Sequence, residues 1–352
     1  MPYSREWELQ WMQLDARRIT LELASEDLRA LYALLIRTRL IDERFAALRT
    51  RGLSTGSPTC RGFEAAQIGC LEPLHIGTDF ILPYYRDLGV MVAAGMPSSA
   101  LLLNQLSRAD DPISGGRMRP AQWNSRALNI VSASGLIATQ TLHAAGIAFA
   151  AKLRGENAVA MTFFGEGATS EGDFHEALNF AALHSLGVIF VCENNGVALS
   201  TPQSQQMHTP HVADHAAGFG IPGVVVDGMN LLAVIDAARE ACVRARAGQG
   251  PTLLEVVIPR VPALGEASVV NDPILFFRAY LLARGDLTLE YENDLYQAIS
   301  RELAEAEAMA IAAPPPDVAT VAEHLFATSY EATQNTDRSP HYATPDYIRE
   351  EV

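Results

Sequence analysis

The stretch "FFGEGATSEGDFHEALNFAALHSLGVIFVCENNG" opens on a carboxylate held between two glycines, Glu166 between Gly165 and Gly167, and closes on an amide pair, Asn194 and Asn195. One carboxylate and one amide oxygen, with a backbone carbonyl just beyond, make a hard-oxygen half-shell. Such a shell suits Mg²⁺, which takes few protein ligands and completes its octahedron with water and phosphate oxygens. Glycine lets a phosphate approach the backbone, and the N–H groups opening the next helix are free to meet it. The chemistry indicated is a metal–diphosphate site. Alone, Gly-Glu-Gly is an ordinary turn and Asn-Asn an ordinary strand end. Their joint position on one strand-helix-strand unit carries the signal.

The elements around them have to place both groups on one edge. "NAVAMTFF" reads as a strand ending at the acid, "FHEALNFAALHSLG" as a helix, and "VIFVCENN" as a strand ending at the asparagines. Upstream, "RGFEAAQIGCLEPL" and "RDLGVMVAAG" read as helices and "DFILPYY" as a short strand. "RALNIVSASGLIATQTLHAAGIAFAAKLRG" reads as a strand, a loop and a long alanine-rich helix. Downstream, the strands "GVVVDG" and "TLLEVVIP" flank the helix "NLLAVIDAAREACVRARAG". Apolar strands separated by helices of roughly 10–15 residues mean a parallel sheet covered on both faces. The expected fold class is therefore α/β with a doubly wound parallel sheet, in which ligands gather at the carboxyl ends of the strands.

An opening helix begins at Ser25, read as its cap, with Leu28, Leu31, Leu35, Ile41, Phe45 and Leu48 at near-helical spacing. A late helix, "ISRELAEAEAMAIAA", is stopped by Pro314, Pro315 and Pro316. The domain reading is an N-terminal arm over 1–23, one α/β domain over 24–330 and a tail over 331–352.

With 49% hydrophobic and 19% charged residues the chain can bury a large core, and its net charge of −15 argues against nonspecific nucleic-acid binding. The four cysteines, Cys60, Cys70, Cys192 and Cys242, have no C-x-x-C spacing and read as buried reduced thiols. No apolar run has the length of a membrane span or a secretion signal, so a cytoplasmic protein away from membranes is expected.

The whole stretch resembles the thiamine diphosphate motif, a glycine-acid-glycine followed after about thirty residues by Asn-Asn. More narrowly, "GEGATSEGD", "NFAA" and "ENN" resemble the α subunit of the decarboxylating component of 2-oxo acid dehydrogenase complexes. The likeness takes in "DFILPYYRDLG", "ASGLIATQ" and "AGFGIPGVVVDGMN", and runs from about residue 25 to 330. It implies the thiamine diphosphate-binding fold, with Glu166, Asn195 and the carbonyl of Val197 on Mg²⁺. It also implies Tyr85 and Arg86 at the diphosphate, for which a guanidinium fork is suited. Gly135 and Ile137 would line the cofactor, and Gly165, Gly167 and Ala168 would complete the cradle. Ser134, Thr139 and Gln140 match positions that hold K⁺ in branched-chain members; helix capping is the other reading of these three. The resemblance further implies an α₂β₂ heterotetramer, a site shared with the β subunit, and docking on a lipoyl acyltransferase core. The reaction implied is oxidative decarboxylation of a small 2-oxo acid with acyl transfer to lipoamide. The Gly-Glu-Gly form leans slightly toward branched-chain relatives.

Two family positions depart from the pattern. Where the resemblance expects a histidine after "GRQMP", the text "GRMRPAQW" puts Gln122. Where it expects a His-Ser loop, "PRVPALGEASVVNDP" keeps Arg260 but holds no histidine and looks shortened. Glutamine cannot shuttle a proton, and a general acid–base group typically contributes ~10²–10⁴-fold. The catalytic residues thus stay unassigned, with Arg260 as a candidate, and three readings follow: an active 2-oxo acid dehydrogenase subunit, an impaired structural or regulatory one, or an acetoin-type enzyme. His208, His211 and His215 could lie on one helix face as metal ligands, but Pro210 interrupts the helix and an ordinary loop entry is expected. His175 reads as packed or surface-lying and His143 as a satisfied core residue, while Glu171 and Asp173 read as first-turn acids favoured by the helix dipole.

Overall fold

A computed structural model describes residues 23–258, 271–320 and 323. Helix α1 (Ser25–Thr50) buries Leu28, Leu31, Leu35, Ile41, Phe45 and Leu48 on one stripe. Ser25 does not cap it. Ala24 holds the cap position, and the Ser25 hydroxyl donates instead to Oδ1 of Asp286, 2.5 Å away.

The chain then forms α2 (Glu64–Leu71), β1 (Phe80–Leu82), α3 (Leu88–Ala93), α4 (Ser98–Gln105) and α5 (Thr139–Leu153). The strand expected at "RALNIV" is absent. Asn129 takes a left-handed φ of 52°, which breaks the pleat, and Ile130 makes only single bridges to Ile81 and Ser125. Next come β2 (Ala160–Gly165), a 3₁₀ turn (Glu166–Ser170), α6 (Gly172–Leu183) and β3 (Val188–Asn194). A small hairpin, β4 (Val197–Ala198) with β5 (Thr201–Pro202), follows, then a 3₁₀ helix (Val212–Phe219) and β6 (Gly223–Asp227). The remaining elements are α7 (Leu231–Arg246), β7 (Thr252–Val257), α8 (Pro273–Arg284) and α9 (Leu289–Ala312).

Five strands make one all-parallel sheet in the order β1-β2-β3-β7-β6. Its two faces feed different cores because successive side chains alternate. Met161, Phe163, Ile189, Val191, Leu254 and Val256 pack with α1, α2 and α7. Ala160, Phe164, Val188, Phe190, Cys192 and Leu253 pack with α5 and α6. The sheet is thus doubly wound, as expected, and Glu166 and Asn195 leave adjacent strands at the same edge.

Helix α8 has no counterpart among the expected elements, although its start is written locally. Asp272 caps it by accepting from the Ile274 N–H, and Pro273 takes the first turn. Asp272 is also buried and bridged by Arg39, which reaches Glu64 of α2 as well. The described residues up to Pro315 form one compact unit, and the second unit contributes a 3₁₀ turn, Val318–Thr320. No helix among the described residues is long and apolar enough to cross a membrane.

Candidate active site

Glu166 sits directly after β2 and is 1% exposed. Its Oε2 accepts the backbone N–H of Asn195 at 3.4 Å, while its Oε1 is buried with no hydrogen-bond partner. Burial pushes this carboxyl above its ordinary value, and the backbone N–H groups of Asn195 and Val197 only partly offset that. A buried carboxylate oxygen left bare is costly unless a cation meets it. The structure therefore brings Glu166, Asn195 and Val197 together, and the donor set fits a hard divalent ion.

The amide oxygen of Asn195 takes the Val197 N–H at 3.1 Å, which folds the chain into a tight turn. That turn rests on Asn194, whose side chain faces the other way. Its Nδ2 donates to Glu255 at 2.6 Å and to Gln203 at 2.9 Å, and its Oδ1 accepts from Gly196 at 2.8 Å. The two asparagines thus divide the labour: Asn195 gives its backbone N–H to Glu166 and closes the turn on Val197, and Asn194 anchors the strand end.

The two glycines differ. A methyl placed on Gly165 would meet nothing within 4 Å, so that side of the acid turn stands open. On Gly167 it would lie 2.6 Å from the Cβ of Ala198. A side chain at 167 is thus excluded by β4, a packing demand that stands beside the cradle role expected of its backbone. Gly135 also stands open, Ile137 and Leu136 are exposed beside it, and Ala168 is buried.

Arg86 and Tyr85 follow β1. The guanidinium lies 5.0 Å from the Phe63 ring centre and 5.8 Å from that of Tyr85, and Nη1 donates to the Thr59 carbonyl at 2.7 Å. Beneath it is a cluster that sequence reasoning missed. Glu193, fully buried on β3, accepts from the Tyr84 hydroxyl at 3.0 Å and from Gln67 at 3.3 Å. Gln67 also donates to the Arg86 carbonyl at 3.2 Å. Burial lifts the Glu193 carboxyl up to about 7, and burial together with Glu193 raises Asp87 well above the carboxylate range. The only sequence signal for this cluster is polar residues inside apolar runs, as at Glu193 in "VIFVCENN".

None of Ser134, Thr139 and Gln140 caps α5, whose cap position is Ala138. Ser134 Oγ accepts from the Leu136 N–H at 3.0 Å, and Gln140 donates to the Phe163 carbonyl at 2.8 Å. Capping is thereby set aside for these three. Gln122 is half-buried. Arg260 and the loop around it lie outside the described residues.

The histidines fall as follows. His143 is exposed on α5, against the core reading. His175 is half-buried, its Nε2 3.0 Å from the Thr169 carbonyl. His211 opens the 3₁₀ helix that starts at Val212, its N–H donating to Asp214 at 3.0 Å. Among the described residues no three His, Cys, Asp or Glu side chains are grouped to hold a metal. His208 lies in irregular chain, whereas His215 falls inside the 3₁₀ helix, which the loop reading did not anticipate. Asp173 does lie in the first turn of α6, and Glu171 precedes it at the cap position. All four cysteines are free and buried.

An oxygen-donor turn at the carboxyl edge of a doubly wound sheet defines a cofactor-binding α/β protein. Similarity to known proteins narrows the class. A family model described as "Dehydrogenase E1 component" matches residues 32–263. The chain is 37% identical over 325 residues to the 2-oxoisovalerate dehydrogenase subunit alpha of Bacillus subtilis, covering 88% of this chain and 98% of that one. It is 40% identical over 257 residues to the 3-methyl-2-oxobutanoate dehydrogenase subunit alpha of Mycobacterium tuberculosis, covering 73% of this chain and 66% of that one. It is 36% identical over 301 residues to the pyruvate dehydrogenase E1 component subunit alpha of Staphylococcus aureus, covering 81% and 78%. The chain belongs to the dehydrogenase E1 component family, as an α subunit of the thiamine diphosphate-dependent 2-oxo acid dehydrogenases.

Proposed function

We propose that this chain holds the metal–diphosphate half of a thiamine diphosphate site completed by a β subunit, and that the assembly oxidatively decarboxylates a small 2-oxo acid. When bound, the cofactor supplies the electron sink for decarboxylation. Glu166, Asn195 and the Val197 carbonyl hold Mg²⁺; Arg86, placed by Tyr85, Phe63 and Thr59, meets the diphosphate. Gly135, Ile137, Gly165, Gly167 and Ala168 line the cofactor, and Ser134, Thr139 and Gln140 form a K⁺ site. The observation that carries the reading is the bare, buried Oε1 of Glu166 beside an open Gly165.

The same reading takes the chain into a cytoplasmic α₂β₂ assembly docking on a lipoyl acyltransferase core. The association with a β chain draws support from exposed apolar side chains on and before α5 and on α6. Leu136 and Leu183 are 72% and 75% exposed, and Leu153 and Phe180 are exposed as well. Branched-chain 2-oxo acids and pyruvate are the substrates to try, as two of the relatives above are named for the former and one for the latter.

A second reading has its own observation. Gln122 stands where the resemblance expects an imidazole, so the chain could assemble and bind cofactor without turnover. One experiment separates the two. The chain is co-expressed with its β partner, and the complex is assayed with thiamine diphosphate, Mg²⁺ and a panel of 2-oxo acids by ferricyanide reduction. Substrate-dependent reduction that is lost in Glu166→Gln supports the enzyme reading. An assembled, cofactor-loaded complex with no reduction supports the silent one, and Gln122→His becomes the variant to test for rescue.

A further inference from the structure

Two of the three oxygens assigned to the metal come from one short turn, Asn195 to Val197, so whatever fixes that turn fixes the coordination. We propose that Glu255 is the positioning residue of the metal half-site, acting through Asn194; this rests on the assignment of Glu166, Asn195 and Val197 as ligands. Glu255 lies on β7 with no exposed surface, in register with Cys192 of β3 and Val225 of β6. Its Oε1 accepts Nδ2 of Asn194 at 2.6 Å and its Oε2 accepts the backbone N–H of Ala213 at 2.9 Å, with Nδ1 of His211 at 3.7 Å from the same oxygen. Asn194 passes this on. Its Oδ1 takes the Gly196 N–H and its second amide hydrogen goes to Gln203, whose own amide donates to the Pro210 carbonyl at 3.0 Å.

The chemistry demands a carboxylate. Both hydrogen-bonding partners, Asn194 and Ala213, present N–H groups, so two acceptor oxygens are needed. A glutamine in place of Glu255 would set donor against donor on one side, releasing either Asn194 and with it Gly196, or Ala213. Groups that orient metal ligands from behind are typically worth about 10–100-fold in metal affinity.

The test uses the complex with its co-expressed partner and follows Mg²⁺ binding by calorimetry at saturating thiamine diphosphate. Glu255→Gln is expected to weaken Mg²⁺ at least about tenfold. Asn194→Ala, which cuts the same link while keeping the carboxylate, should do likewise and serves if the first variant fails to fold. In the double variant Glu255→Gln with Asn194→Asp, the carboxylate introduced on β3 accepts from the amide introduced on β7, and affinity should recover in part, since the Gln203 oxygen then loses its donor. Asp79→Asn is the control. That carboxylate is equally buried but sits at the other end of the sheet, accepting the Val159 and His75 N–H groups and pairing with Arg246. Wild-type affinity in both Glu255→Gln and Asn194→Ala overturns the proposal, as does an equal loss in Asp79→Asn, which would mean general loosening. A wild-type complex with no Mg²⁺-dependent cofactor binding instead sinks the ligand assignment itself.

Discussion

Gly165 and Gly167 flank one carboxylate, yet their surroundings give them different tasks. Alanine at 165 meets open space and has an ordinary φ of −82°, so thermal unfolding should stay within about 1 kcal/mol of wild type. The same methyl should obstruct the approach of a diphosphate and weaken cofactor binding. Alanine at 167 meets Ala198 at 2.6 Å and should cost about 1–3 kcal/mol as an overpacked contact. Denaturant midpoints and cofactor titrations on both variants check the pair. Equal effects on stability would mean that the two glycines share one role after all. The sequence shows both as glycine and is silent on the difference, because Ala198 arrives from a hairpin whose path depends on the turn after β3.

At the scale of elements, the carboxyl end of β3 is fixed by two buried glutamates. Glu255 reaches it from β7, and Glu193 ties it to the loop after β1 through Tyr84 and Gln67. The Glu193 carboxyl stays protonated in the folded protein up to about pH 7, while an unfolded glutamate ionises near 4.5. Its contribution to stability is therefore complete below pH 4.5 and is lost as pH rises through about 7. The loss is on the order of 3 kcal/mol. Glu193→Gln keeps the group neutral at every pH, so its stability relative to wild type should rise between pH 5 and pH 8. Urea unfolding across that range measures this, and parallel curves for the two proteins would refute it. Strand and helix types here are legible because each carries its own period and breakers. The "RALNIV" segment misleads since a single left-handed residue, Asn129, undoes an apolar run without any change in composition.

Across the whole molecule, helices α5 and α6 cover one face of the sheet and still leave large apolar side chains outward. Phe149 and Phe180 rings sit 5.4 Å apart, with the His184 ring 4.6 Å from Phe180, and Leu153 and Leu183 are exposed on the same two helices. An acidic residue at Leu183 should leave the isolated fold intact, since the side chain is 75% exposed, while preventing assembly with the partner chain. Sedimentation of the co-expressed pair tests it: an intact complex in Leu183→Glu would move the partner surface elsewhere.

Sequence by itself determined the doubly wound parallel sheet, the edge on which chemistry sits, and the acid and asparagine that meet there. These follow from hydrophobic period and from residues that end consecutive strands, both local properties of the chain. Tertiary structure alone decided what supports them. Glu193, Gln67 and Glu255 look like scattered polar residues in apolar runs, and Arg39 meets Asp272 across 233 positions. A buried hydrogen bond is specified by where two elements come to rest in space, and no local pattern records that distance.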